Sequence, residues 1–193
     1  MITDYSELVA EVTERSGVSG VANRAAMFVG LAERALSKRL RVADAETVAT
    51  LTTDAEGRTG LPSDFEMVRQ IFVPPGIELP ARPLASIQSQ FSRVEGYAIR
   101  GPELVSSKRE TAHEVIYYAS IPSLVTNGSN WLLEREPEIY LHAVLHQIYV
   151  FGTDVERAQV TASYLDQLVS EFLAADRSAR YGQMRITPPR AAQ

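Results

Sequence analysis

The sequence predicts an α+β protein: a helical bundle with an inserted small antiparallel β-sheet domain and an extended C-terminal arm. Three observations carry that expectation. Both ends repeat apolar side chains at spacings of three and four, whereas residues 46–119 switch to branched and aromatic residues punctuated by Gly and Pro. After Asp176 acidic residues stop while arginines and prolines continue. The resulting organisation is residues 1–45 as N-terminal helices of the bundle and 46–119 as the sheet domain. Residues 120–175 then form a loop and two helices completing the bundle, and 176–193 form the arm.

Tyr5, Leu8, Val9 and Val12 place one apolar face on a helix over 4–15, which Thr3 or Asp4 caps. Ser16-Gly17-Val18-Ser19-Gly20 breaks it, and Ala25, Phe28, Val29, Leu31, Ala32, Leu36 and Leu40 give a second helix over 21–40. Lys38, Arg39 and Arg41 suit its carboxyl end, and a solvated face accounts for them equally well. Branched residues from Glu46 to Thr53 read as a strand, Ala55 to Gly60 as a turn, and Met67 to Val73 as a second strand.

Pro74-Pro75-Gly76 and the run Pro80 to Pro83 exclude regular ladder pairing, and residues 84–91 supply one or two helical turns. Short strands at 94–100 and 103–106 flank Gly101-Pro102, and 111–119, dense in aromatic and branched residues, is the clearest strand. An extended loop follows over 120–130. Helices over 137–151, with Pro137 in the first turn, and over 155–175 are joined by Gly152-Thr153-Asp154, short enough to make them antiparallel neighbours.

Composition narrows the function classes. No window reaches the run of about 18 apolar residues that spans a membrane, and Met1-Ile2-Thr3-Asp4-Tyr5 carries no secretory pattern, so the protein is expected to stay in the cell that makes it. With no cysteine there is no disulfide, thiol nucleophile or thiolate metal site. A formal charge of -5 repels polyanions on average, which argues against sequence-specific nucleic-acid binding.

Glu138, His142 and His146 share one side of a helix, which raises a metal or hydrolase site acting on a carbohydrate or nucleotide. The helix nevertheless lacks the glutamate that follows the first histidine in a metalloprotease motif. Their other reading is packing, solvation or hydrogen bonding between subunits. His113 has no serine or cysteine in an elbow-like context, so no catalytic residue is nominated. Asp64 with Glu66, and Glu134 with Glu136 and Glu138, sit two apart and do not share a helix face; solvation and capping account for them. The Gly17–Gly20 and Gly57–Gly60 turns lack the pattern of a nucleotide loop.

Trp131, Tyr140 and Tyr149, with Phe151, fit either the subunit's own core or an oligomeric interface, where aromatics and arginines are favoured. Tyr164 fits either set. The segment from Arg177 through Arg180, Tyr181 and Arg185 to Arg190 cannot build a core alone. It reads as a solvated tail, as an arm ordering on a partner subunit, or as a DNA-binding tail.

The order of these pieces resembles phage head-to-tail adaptor proteins, the connector subunits beneath the portal. The resemblance is carried by Tyr5-Ser6-Glu7-Leu8-Val9, the run Phe28 to Arg41, Glu46-Thr47-Val48-Ala49-Thr50-Leu51 and Leu61-Pro62-Ser63-Asp64-Phe65. It continues through Tyr117-Tyr118-Ala119, Asn130-Trp131-Leu132-Leu133, Pro137 to Leu141, Asp154 to Ala158 and Ala175 to Tyr181. Between Pro74 and Ser92 a Pro-rich connection replaces the family's ladder strand. The resemblance implies a non-enzymatic virion protein at the head–tail interface, needing no cofactor. It further implies a ring of twelve copies that bridges the portal to tail-side or nozzle proteins and leaves a channel through which DNA passes during genome ejection. Trp131, Tyr140, Tyr149, Arg177, Arg180, Tyr181, Arg185 and Arg190 are then the expected interface residues.

Overall fold

A computed structural model describes residues 2–88 and 94–181. The expected arm beyond Tyr181, with Arg185 and Arg190, and the end of the expected 84–91 helix lie outside the described residues. The chain divides into two compact units, residues 1–44 with 121–193 and residues 45–120. One is helical and the other is built on sheets, the α+β arrangement that the apolar periodicities predict.

The helical unit starts with α1 (Tyr5–Ser16), capped where Asp4 Oδ1 accepts from Glu7 N–H at 2.9 Å, and ending at Gly17 with φ +63°. The expected helix over 21–40 is shorter. A 3-10 turn at Ala22–Arg24 leads into α2 (Ala25–Ser37), after which Arg39 and Leu40 N–H both bond to the Leu36 carbonyl (2.8 Å each). That tightened end keeps Leu40 buried although the helix has stopped.

The return from the sheet unit contains α4 (Leu124–Asn127), inside the stretch 120–130 expected as loop, and α5 (Trp131–Arg135), between that stretch and the helix expected from 137. α6 (Pro137–Phe151) is buried nearly all round, from Ile139 to Tyr149, and packs against α1, α2, α5 and the long α7 (Val155–Tyr181). Asp154 caps α7, accepting from Arg157 N–H at 3.1 Å. This helix runs through residues 176–181, which the sequence assigns to the extended arm. Alanines and arginines are good helix formers, and Asp176 finds a partner that the sequence does not reveal.

The sheet unit holds two antiparallel sheets where the sequence suggests one. β1 (Glu46–Thr52), β7 (Ala112–Ala119), β3 (Phe65–Val73) and β4 (Ile77–Glu78) lie in the order β1-β7-β3-β4. β2 (Arg58–Gly60), β6 (Glu103–Ser106) and β5 (Tyr97–Arg100) lie in the order β2-β6-β5. α3 (Leu84–Gln88) is a single short helix.

β2 occupies part of the expected turn because Gly57, at φ +80°, brings its carbonyl to Ser106 N–H (2.7 Å); a Cβ there would overlap the Ser106 carbonyl oxygen. β4 pairs with β3 for two residues between the proline runs, which limit the ladder without abolishing it. Ile71, Val73, Leu79, Leu104, Val115 and Tyr117 form the core of this unit.

Candidate functional site

Around Trp131 the geometry is built by residues distant in sequence. Asn130 Oδ1 accepts from Leu133 N–H at 3.0 Å and so caps α5. Its Nδ2 donates to the Pro122 carbonyl (2.8 Å) and to Tyr140 Oη (3.1 Å). Tyr140 Oη donates in turn to Glu33 Oε1 at 2.5 Å, and the same oxygen accepts from Leu124 N–H at 2.7 Å. Ser37 Oγ accepts from Ile121 N–H at 3.0 Å.

Glu33, Ser37, Asn130 and Tyr140 are all buried. Burial, then the Glu33 bond, pushes the Tyr140 phenol far above its ordinary range, so the hydroxyl stays a donor. This polar cluster fixes the path of residues 121–130 and presents the half-buried Trp131 at the start of α5. Tyr140 is fully buried, and its hydroxyl is satisfied within the chain. Tyr149 is buried as well, with the Arg157 guanidinium 5.8 Å from its ring centre.

At the far end of α7, Asp176 Oδ1 accepts from Ala43 N–H at 3.0 Å and Oδ2 pairs with Arg180 Nε at 2.8 Å. Arg180 is therefore held along its own helix, while Arg177 is exposed. Arg135 pairs with Asp44 and lies 5.0 Å from the Phe172 ring centre, fastening α5 to α7.

The groups that raise a chemical function do not converge. His142 stacks edge-on against Tyr164 at 4.6 Å, its Nδ1 buried without a hydrogen-bond partner, and burial lowers its basicity against the opposing pull of Glu138. His146 Nδ1 donates to the Ala158 carbonyl at 3.1 Å, and Glu138 is exposed. Among the described residues no group of three His, Asp or Glu side chains is placed to hold a metal.

One pair escapes the sequence reading: Ser106 Oγ donates to His113 Nε2 at 2.7 Å, while His113 Nδ1 donates to the Thr111 carbonyl at 2.8 Å. The carbonyl acceptor fixes this tautomer. It has the form of a nucleophile and base, yet Ser106 and His113 are 3% and 0% exposed, so a substrate has no route to the hydroxyl. Ser106 Oγ also accepts from Lys108 N–H at 3.0 Å; the pair braces the turn between β6 and β7.

Glu33, like Ser37, is a residue of this cluster that sequence reasoning passes over. It lies in the apolar stripe with Val29, Ala32 and Leu36, and a carboxylate in such a stripe signals a buried partner. Its partners lie 91 and 107 residues further along the chain, beyond the reach of local patterns.

A protein-family model described as "SU10 adaptor protein" matches residues 3–189. No curated protein matches the chain. Among the described residues no helix is long and apolar enough to cross a membrane.

Proposed function

The chain belongs to the SU10 adaptor protein family, and from that premise we propose that twelve copies form a ring between portal and tail-side proteins, with DNA passing through a central channel. Family membership makes the protein a structural, virion-associated phage head-to-tail adaptor and not an enzyme, with portal and tail components as its partners. The observation that carries the finer reading is the match over residues 3–189, which takes in both units and the run after α7.

In this reading α5 presents Trp131, and α7 leads through Arg177 and Tyr181 into a segment whose Arg185 and Arg190 extend along the portal or a neighbouring subunit. Tyr140, Tyr149 and Arg180 act behind that surface by holding the elements that present it. The charge of -5 suits a channel in which DNA slides, because a wall rich in lysine and arginine would hold it through many phosphate contacts.

Co-purification with the portal protein of the same virus tests the proposal. Retention of the adaptor at a fixed ratio to portal in moderate salt supports it. Failure to bind portal, with salt-sensitive binding to duplex DNA instead, would replace it with the DNA-binding reading.

A further inference from the structure

α1 and α2 are packed on α6, and their outward stripes differ in both charge and bulk. On α2, Met27, Leu31, Arg34 and Lys38 follow one another at helical spacing, all exposed, with Met27 at 45% and Leu31 at 43%. Single exposed apolar residues are ordinary, but this stripe continues directly into two cations and carries no acid. Among the described residues neither Arg34 nor Lys38 makes an ion pair. On α1 the outward stripe is Ser6, Glu7, Ala10 and Glu14, again all exposed: two small residues alternating with two carboxylates. Glu7 Oε2 accepts from Thr3 N–H (2.7 Å) and Thr3 Oγ1 (2.9 Å) but has no cation, and Glu14 has none among the described residues.

We infer that the α2 stripe of one copy docks on the α1 stripe of a second copy of this chain, forming the seam between neighbouring subunits. With the two helices parallel, Met27 and Leu31 fill the low ground over Ser6 and Ala10, Arg34 falls level with Glu14, and Lys38 lies one turn beyond it. The occupant is a second copy because charge and bulk are complementary between two different faces of one subunit. Such a contact is heterologous: each copy offers one face as donor and a different face as acceptor, which is what closing a ring requires. The inference rests on the proposed ring and assigns its subunit contact.

Two variants test it in co-expression with portal, read as adaptor copies per portal by native mass spectrometry. Arg34→Glu/Lys38→Glu makes both stripes acidic, and Glu7→Lys/Glu14→Lys makes both basic. Each alone is expected to lower occupancy by about tenfold or more, since like charges then face one another at every junction. The two mixed are expected to restore full occupancy in an alternating ring.

Because Glu7 also holds Thr3, Ala10→Lys/Glu14→Lys serves as a second basic variant, and melting curves confirm that each variant folds. Full rings from either variant alone overturn the seam, and so does failure of the mixture to recover. Wild-type protein that forms no ring on portal overturns the ring reading itself, and the seam with it.

Discussion

Tyr140→Phe isolates the polar cluster that ties the returning chain to the bundle. The change removes one oxygen from a fully buried position and leaves the ring's packing in place. That oxygen donates to Glu33 Oε1 at 2.5 Å and accepts from Asn130 Nδ2 at 3.1 Å. A hydrogen bond to a charged group contributes about 1.5–3 kcal/mol, and a buried carboxylate deprived of a donor adds its desolvation cost. Asn130 keeps the Pro122 carbonyl and Glu33 keeps Leu124 N–H, so the sum is held to about 3 kcal/mol.

Glu33→Gln keeps an acceptor and relieves the charge, so it costs less, about 1 kcal/mol. Urea unfolding followed by the fluorescence of Trp131, the single tryptophan, reports the helical unit. With a slope of about 2 kcal/mol/M, Tyr140→Phe moves the midpoint down by about 1.5 M. A shift corresponding to less than about 0.5 kcal/mol, or a larger loss for Glu33→Gln than for Tyr140→Phe, would refute the reasoning.

Other perturbations probe the remaining parts. Burial lowers the basicity of His113 below its ordinary 6.5, so an unfolded chain takes up a proton that the folded one resists. Its contribution is whole above that value and lost as pH falls, and His113→Gln should flatten this acid-side loss in a pH series of melts, leaving the part due to His142. At the alkaline end, burial and the bond to Asp64 push the Tyr117 phenol from 10.0 up to about 12. Stability therefore declines as pH rises from 10 to 12, and Tyr117→Phe should show a shallower decline.

Adding zinc should leave the thermal midpoint unchanged; a rise that Glu138→Gln, His142→Asn or His146→Asn abolishes would restore the metal reading. Ending the chain after Tyr181 should weaken portal attachment. Ending it before Asp176 should also cost about 1–2 kcal/mol, because Ala43 N–H loses its acceptor. Equal portal binding by both truncations and the full chain would show that the terminal arginines make no contact there.

What could be read from the sequence was whatever is local. The caps at Asp4 and Asp154, Pro137 in the first turn of α6, and the apolar faces of α1, α6 and α7 each depend on residues within a few positions of one another. The strand at 111–119 was legible for the same reason: branched and aromatic residues alternate through a segment buried on one face. α4 and α5 were hidden because the hydrogen bonds holding that stretch come from Glu33 and Ser37, remote in sequence.

The run of α7 to Tyr181 was hidden likewise, since it depends on the capture of Ala43 by Asp176. The early end of α2 is local, a turn tightened at Leu36, but residues 38–42 carry no glycine or proline to announce it. The Ser106–His113 pair was invisible because nothing in two ordinary strand residues announces that they meet. For the candidate interface, the pattern of aromatics and arginines named the residues. It could not say that Tyr140 and Arg180 spend their polar groups inside the subunit while Trp131 and Arg177 retain exposed surface.

The central claim is a ring seated on the portal, and electron microscopy of the two proteins co-expressed at matched subunit ratio tests it most directly. The account predicts a stacked double ring with an open channel and twelvefold density for the adaptor layer. Clean portal rings with this protein left unbound would contradict it.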